Sequence, residues 1–236
     1  MRGRGRGYGQ FCPVAMAAEI VAERWTPLIL REFMFGSHRF SELRRGIPLI
    51  SQSLLTQRLR SLEHDGVIEQ RPTTDGRGQE YHLTRAGEEL RPIIELLGAW
   101  GHRWTGDRLR EDDWDPAVLM WFLYRLVQVA ALPERRVVVQ FELRQGRYRL
   151  WWLILDRPEV DLCLRDEGFE VDLYVTADTR VLAEAILGRR ELRQAIQSGL
   201  VTVDGPRDLA RAFPDWIGVS GFGQIPVPIS MAAVGH

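Results

Sequence analysis

The order of structural signals in residues 51–87 constrains the fold more than any other part of the chain. A polar stretch opened by Ser51 carries three leucines at helical spacing, Leu55, Leu59 and Leu62. This spacing predicts an amphipathic helix. Two short runs at 67–71 and 79–83 follow, joined by a glycine-bearing turn, and they predict a pair of antiparallel strands. A capping threonine then starts another helix, so the predicted order is helix, strand, turn, strand, helix.

A helix followed at once by a two-stranded ribbon with a basic turn is typical of a winged helix. In that motif the helix enters the DNA major groove, and the ribbon tip contacts the backbone or the minor groove. Gln binds adenine and Arg binds guanine, whereas short hydroxyl side chains allow close approach. The candidate DNA-binding residues are Arg39, Ser51, Gln52, Ser53, Thr56, Gln57, Arg58, Arg60 and Arg77. The alternative is that these are ordinary solvated positions.

Charge supports a nucleic-acid contact locally rather than over the whole chain. The formal net charge of -1 and the pI of 6.5 exclude a wholly basic coat protein. Residues 37–60, however, hold five Arg and a single acidic residue, Glu42. The five His are scattered, without the spacing of metal ligands, and the chain has no phosphate loop or nucleophile motif. We therefore expect a protein that is not an enzyme and uses no metal or cofactor.

Two cysteines, Cys12 and Cys163, cannot form a disulfide framework and fit a reducing compartment. The first residues are polar and glycine-rich, unlike a signal peptide. The most apolar predicted helix, around 118–132, is interrupted by Arg125 and is too short to span a bilayer. The sequence therefore predicts a soluble, cytoplasmic protein with no membrane partner.

The predicted fold class is α+β, in segments that differ in composition. We expect a flexible basic arm at 1–10, a winged-helix DNA-binding domain at 11–105 and a charged linker at 106–115. A second α+β domain is expected at 116–227, followed by a tail at 228–236. The first domain should be mostly α with a two-stranded wing. The second should have a mostly antiparallel sheet with helices on one face.

Helix signals fill the rest of the first domain. Helices are predicted from Pro13 and from Thr26-Pro27, where Thr26 would be the N-cap. A long helix is predicted from Thr84 to about Trp104 and ends in large aromatic side chains. Such a helix needs an apolar partner. A second subunit is the natural one, because dimers read palindromic DNA sites.

The second half begins with a predicted amphipathic helix at 117–131. Strand-like runs follow at 136–143, 147–155, 160–164 and 170–176. Turn residues separate the first three runs, which is the pattern of an antiparallel meander.

The first domain resembles the HxlR family of bacterial winged-helix regulators. The landmarks, in order and spacing over residues 11–104, include Cys12-Pro13, Arg24-Trp25, Arg39-Phe40, Ile50-Ser51-Gln52, Asp65-Gly66 and Leu83-Thr84. The resemblance implies a dimeric repressor or activator paired through its first and last helices. One departure is the turn at 73–78, which is more glycine-rich than usual.

The same resemblance implies a redox sensor at Cys12, since some members of the family use a cysteine just before the first-helix proline in this way. A thiol at a helix N-terminus has a lowered pKa and more thiolate. The alternative is that Cys12 is a small buried hydrophobe. Cys163, in a strand-like run, is expected in the core.

The second domain resembles the sterol carrier protein type 2 fold over about residues 133–216. A strand ending in Thr176-Ala177-Asp178 leads to a helix, a glycine, a second helix, Ser198-Gly199, a strand and Asp204-Gly205. The resemblance implies an apolar tunnel for acyl or sterol-like molecules. The candidate lining residues are Trp121, Phe122, Trp151, Leu153, Phe169, Leu187 and Ile196. The alternative is that these side chains are ordinary core or dimer surface.

The sequence thus predicts a homodimeric bacterial transcriptional regulator whose partner is double-stranded DNA. Its activity would be modulated by a small apolar ligand or by oxidation of Cys12. The alternative is a carrier of lipids or small apolar ligands that uses its winged helix for protein contacts. The basic bias of residues 37–60 and Arg77 in the turn favour the regulator.

Overall fold

The computed structural model describes residues 7–74, 76–144 and 149–224. The chain divides into two compact units between Leu97 and Gly98. The domain limits expected from the sequence stay predictions. Residues 1–6 of the expected arm and the whole expected tail lie outside the described residues.

The first unit consists of helices and a two-stranded sheet. Its helices are α1 (Pro13–Val21), α2 (Thr26–Met34), α3 (Phe40–Gly46), α4 (Gln52–His64), α5 (Arg85–Glu88) and α6 (Arg91–Trp104), which continues past the division. Its strands are β1 (Ile68–Pro72) and β2 (Gln79–Leu83). They pair antiparallel, with Ile68 opposite Leu83 and Pro72 opposite Gln79. The predicted helical domain with a two-stranded wing is therefore confirmed.

Leu55, Leu59 and Leu62 of α4 lie in the core of this unit, as their spacing predicts. The buried cluster includes Ile29, Leu30, Leu43, Leu55, Leu59, Leu62 and Ile68. Burying one such side chain contributes roughly 1.5–3 kcal/mol. Because the three leucines share one face of α4, their burial leaves the opposite face to solvent.

A buried carboxylate links α2 to α3. Glu32 is fully buried, and it accepts hydrogen bonds from Arg31 Nη2 at 2.8 Å and from Ser37 Oγ at 3.3 Å. Arg31 Nη2 also donates to Gly46 O at 3.0 Å. A buried charge is tolerated only when it is paired and hydrogen-bonded. The pair therefore ties the C-terminal end of α3 to α2.

The start of α2 differs from the prediction. Trp25, not Thr26, is the N-cap, and its backbone is left-handed with φ of 78°. This conformation is uncommon for a residue other than glycine. Thr26 N donates to Glu23 O at 2.9 Å, and the Arg24 guanidinium lies 5.0 Å from the Trp25 ring centroid. The turn between α1 and α2 is thus held in one conformation.

The helix predicted from Thr84 to Trp104 is not continuous. α5 ends at Glu88 and α6 begins at Arg91. Pro92 explains the break, because proline lacks an N–H and its ring excludes the carbonyl of the residue four positions earlier. The predicted extent of this helix is therefore wrong, although both of its parts are helical.

The second unit combines helices with one sheet. The helices are α7 (Pro116–Arg125), α8 (Thr179–Ile186), α9 (Leu192–Gln197) and α10 (Arg207–Trp216). The strands are β3 (Val137–Leu143), β4 (Leu150–Asp156), β5 (Glu159–Cys163), β6 (Leu173–Ala177) and β7 (Val201–Asp204). α7 is shorter than predicted, because Val127 leaves the helix to form a β-bridge with Ile217.

The sheet is mixed, which corrects the prediction of a mostly antiparallel sheet. Its strand order is β5-β4-β3-β6-β7. β3, β4 and β5 form the predicted meander, but β6 runs parallel to β3, with Phe141 opposite Val175. Strands that follow one another in the chain are usually neighbours in a sheet, but β6 does not lie beside β5. The chain from β5 to β6 instead passes two strands before it enters the sheet beside β3.

One face of this sheet is packed with helices. The residues of β3 on that face are fully buried at every second position, Val137, Val139, Phe141 and Leu143. They share a cluster with Leu182 of α8 and Phe213 of α10. This alternation is the period-two pattern of a strand with one face in the core.

Candidate nucleic-acid interface

α4 begins with a side-chain cap that fixes its first turn. Ser51 Oγ accepts a hydrogen bond from Leu54 N at 3.3 Å and lies 3.2 Å from Ser53 Oγ. Thr56 Oγ1 donates to Gln52 O at 2.9 Å. Ser51, Gln52 and Ser53 are exposed. They occupy the part of a recognition helix that usually reaches base edges.

The exposed face of α4 brings together most of the residues selected from the sequence. Gln57 and Arg60 are exposed on the same side as Ser53, whereas Thr56 is half-buried at its flank. This surface presents an amide, a guanidinium and a hydroxyl in a row. These are the groups that make bidentate or close contacts with base edges.

Arg58 is set apart from that face. Its Nη2 lies 2.7 Å from Glu23 Oε2, and its side chain is only 18% exposed. Glu23 belongs to the turn between α1 and α2 and was not selected from the sequence. The role of Arg58 in DNA binding stays a prediction.

Arg39 joins α3 to the wing. It is the N-cap of α3, and its Nε donates to Glu80 Oε1 on β2 at 3.1 Å. The Arg39 side chain is 58% exposed. An ion pair this exposed contributes about 0–1 kcal/mol. The pair therefore orients the guanidinium at the surface more than it stabilises the fold.

The wing ends in a compact turn. Thr73 N donates to Gly78 O at 3.0 Å, and Gly78 N donates to Thr73 Oγ1 at 2.9 Å. Gly76 has φ of 68°, a conformation that glycine adopts without strain. Arg77 is exposed in this turn, and Asp75 lies outside the described residues. The turn thus carries Arg77 at the distal end of the ribbon.

His38 and His82, which are not among the residues predicted from the sequence, hold the wing against the segment before α3. Tyr81 N donates to His38 O at 2.8 Å, and His38 Nδ1 lies 3.1 Å from Tyr81 O. The rings of His38 and His82 stack with centroids 4.3 Å apart. Burial, followed by the charges of His38 and Arg71, lowers the pKa of His82, and Glu80 opposes that shift. No local pattern signals this contact, because 43 positions separate His38 from Tyr81.

We expect protonation of His82 to destabilise the folded chain. Its folded-state pKa lies below the ordinary value of 6.5, so the unfolded chain takes up the proton first. The contribution to the free energy of unfolding is present above pH 6.5 and is lost as the pH falls through the folded pKa. His82→Phe keeps an aromatic ring without titrating. Urea denaturation between about pH 7.5 and about pH 5.5 should show a steeper loss of stability in the wild type. If the free energy of unfolding falls equally with pH in the wild type and in His82→Phe, this expectation is contradicted.

The two cysteines occupy different environments. Cys12 is the N-cap of α1 and is half-buried. The backbone amides of Ala15 and Val14 lower the pKa of the Cys12 thiol, as expected at a helix N-terminus. Cys163 was expected in the core, but it is half-buried on β5 and its Sγ lies 3.4 Å from Glu167 Oε1.

The candidate pocket residues of the second unit do not all come together. Trp151 and Leu153 belong to its buried cluster, and Ile196 packs against that cluster. The candidates outside the cluster are Trp121, Phe122, Phe169 and Leu187. Phe169 is 38% exposed, and the Arg136 guanidinium lies 4.9 Å from its ring centroid. A ligand role for these seven residues stays a prediction.

In the part of the chain that the structure describes, no group of three His, Cys, Asp or Glu side chains is placed to hold a metal ion. No helix within the same residues combines the length and apolar content that crossing a bilayer requires.

Comparison with known proteins gives consistent matches for the first unit. The family profile described as HxlR-like helix-turn-helix matches residues 20–108. YvaP and YdeP of Bacillus subtilis (strain 168), both uncharacterized HTH-type transcriptional regulators, are 37% and 36% identical to this chain. The matches cover 40% and 42% of this chain and 90% and 77% of those proteins. A solved structure, the redox regulator HypR in its oxidized form, is 32% identical, with a TM-score of 0.37, over 42% of this chain and 99% of that one.

Proposed function

Because the chain belongs to the HxlR-like helix-turn-helix family, we propose that it is a transcriptional regulator that binds double-stranded DNA with α4 in the major groove. The exposed face of α4 carries the proposal, since Ser53, Gln57 and Arg60 lie opposite the buried leucines. An amide and a guanidinium on a well-packed helix are suited to bidentate contacts that distinguish base pairs.

The wing supplies the second proposed contact. Arg77 is exposed at the end of the ribbon, and Arg39 is exposed beside β2. Side chains of this kind bind phosphates or a narrow minor groove. They would set the register of the protein on the duplex, and the α4 face would read the sequence.

A binding selection on genomic fragments, with the purified full-length chain at near-physiological salt, tests this function. We expect enrichment of a short palindromic sequence. Binding that is independent of sequence and disappears as salt rises would contradict a sequence-reading role. It would favour the alternative of a carrier whose winged helix contacts proteins.

Gln57→Ala should relax the preference at one base pair of the enriched sequence, at a cost of about 1–3 kcal/mol. Arg77→Ala is the matched contrast, because it removes a charge from the wing without changing α4. It should weaken all duplexes more evenly and lower the dependence of affinity on salt. Fluorescence anisotropy on a panel of single-base variants measures both effects. Uniform weakening by Gln57→Ala would contradict a base contact at that position.

We also propose that the regulator is a homodimer. One face of α6 exposes apolar side chains at helical spacing, Ile93, Leu96, Leu97, Trp100 and Trp104. On α1, Val14 and Met16 are 76% and 59% exposed. Apolar surface of this extent is typical of an interface, and a dimer would place two α4 helices on a palindrome. Light scattering on the eluting protein should give twice the mass of the chain, and a monomer would contradict the proposal.

We propose that the DNA-binding activity is regulated either by a small apolar ligand bound in the second unit or by oxidation of Cys12. The succession β6, α8, α9 and β7 is similar in order to the sterol carrier protein type 2 fold, which supports a small apolar ligand. The lowered pKa of the Cys12 thiol supports oxidation as the other input. Either input must favour one conformation of the DNA-binding dimer to change its affinity. DNA affinity measured with medium-chain fatty acids tests the ligand. DNA affinity measured with diamide, on the wild type and on Cys12→Ser, tests oxidation of Cys12.

A further inference from the structure

We infer that Arg58 is a positioning residue, held by Glu23, that fixes the rotation of α4 about its axis. This inference rests on the proposed function, and it deepens that function by adding Glu23 to the residues on which DNA recognition depends. In this arrangement Arg58 does not contact DNA, although it lies between two exposed candidates for base contact, Gln57 and Arg60.

The geometry of the helix places Arg58 away from the groove-facing surface. Successive residues turn by about 100°, so Arg58 points about 160° away from Arg60 and about 140° away from Ser53. It lies about 60° from Leu55, which is fully buried. Arg58 therefore flanks the core side of α4, where a duplex bound to the exposed face would not reach it.

The environment of the guanidinium supports the same conclusion. Glu23 Oε2 lies 2.7 Å from Arg58 Nη2, and the Arg58 side chain is 18% exposed. Within the described residues, Arg58 Nε is buried without a hydrogen-bond partner. A guanidinium with this much of its hydration removed depends on its carboxylate partner. Removing Glu23 would leave a largely buried cation without compensation, and α4 would have to rotate or shift to rehydrate it.

The turn that carries Glu23 is a firm anchor. Trp25 holds a left-handed backbone and packs against the core of the first unit. Thr26 N donates to Glu23 O, and Arg24 stacks on the Trp25 ring. Uncommon backbone conformations persist where their surroundings fix them. Because this turn cannot easily follow α4, the ion pair resists rotation of the helix.

A phosphate contact and a positioning contact predict different salt behaviour. Loss of one phosphate contact lowers the slope of log affinity against log salt by about one. Loss of a positioning contact moves the reading side chains but leaves the number of phosphate contacts unchanged. It therefore weakens binding and relaxes sequence preference at a constant slope.

The experiment is a double-mutant cycle on the full-length chain with the enriched duplex and its single-base variants. The variants are Glu23→Gln, Arg58→Gln, the two together, and the exchanged pair Glu23→Arg with Arg58→Glu. Each single variant should weaken binding about tenfold, which is within the range expected when a side chain that reads a base loses its alignment. The double variant should be no weaker than either single variant, and discrimination at the base read by Gln57 should fall in all three.

The exchanged pair should restore most of the affinity and the discrimination. Arg60→Gln is the matched control on the exposed face, and it should lower affinity without any dependence on residue 23. If Arg58→Gln lowers the salt slope while Glu23→Gln leaves binding unchanged, Arg58 is a DNA contact and the inference is overturned. If the wild-type chain enriches no duplex in the binding selection, the proposed function itself is overturned. That selection precedes the mutant cycle, so the two failures are distinguishable. If a single variant fails to fold, restoration by the exchanged pair still decides the question.

Discussion

Gly87→Ala should lower the free energy of unfolding of the first unit by about 3 kcal/mol, although alanine is normally the better helix residue. A Cβ at Gly87 in α5 would lie 2.2 Å from Val67 O, which is a backbone atom. Thr84 N, at the cap of α5, donates to the same carbonyl at 3.0 Å. The clash can therefore be relieved only by moving α5 away from the start of β1.

Hydrogen exchange measured peptide by peptide on the full chain reports this effect, because protection reflects local free energies of opening. Protection should fall across α4 and β1 while the second unit is unchanged. Gly101→Ala in α6 is the matched control, since the nearest atom to its Cβ would be Thr105 Oγ1 at 3.8 Å. That variant should be more stable by up to about 1 kcal/mol. If Gly87→Ala is equally well tolerated, the close approach of α5 to Val67 does not hold in solution.

Phe141→Ala should lower the free energy of unfolding of the second unit by about 3–5 kcal/mol. Phe141 is fully buried at the centre of β3, opposite Trp151 on β4 and Val175 on β6. Its ring centroid lies 6.1 Å from that of Phe213 on α10. Truncation leaves a cavity where the sheet meets a helix, and neighbouring backbone on both sides prevents its collapse.

Urea denaturation followed by tryptophan fluorescence measures the loss, because Trp151 and Trp216 are buried in the same cluster. Glu142→Ala is the control, since this neighbour is exposed on the other face of β3. Its effect should stay within about 0.5 kcal/mol. If Phe141→Ala and Glu142→Ala lower the free energy of unfolding equally, Phe141 does not lie in the core of the second unit.

Local patterns in the sequence predicted most of the first unit. Leucine spacing gave the buried face of α4, and Ser51 gave its N-cap. Glycines between two short runs gave the wing. These signals succeed because each depends on residues a few positions apart. The family resemblance likewise rests on landmark residues whose order and spacing can be read directly from residues 11–104.

Contacts between distant parts of the chain were not predictable in this way. Nothing near Arg58 in the sequence indicates its pairing with Glu23, and nothing near His82 indicates its stacking on His38. The direction of β6 was also missed, because side chains alternate between the two faces of a strand whichever way the neighbouring strand runs. The spacing of apolar residues predicts which side chains of the second unit are buried. It does not predict which of them would line a pocket, because that depends on contacts between distant segments.

The parallel pairing of β3 with β6 affects the order in which the two units can fold during synthesis. Val139 pairs with Leu173, and two strands are synthesised between these partners. Loops of this kind close late and slow the folding of a domain. The first unit, whose α4, β1 and β2 follow one another, can fold on the ribosome before β6 has emerged. Until then the edge of β3 that pairs with β6 is open, and an open strand edge can pair with another chain and promote aggregation.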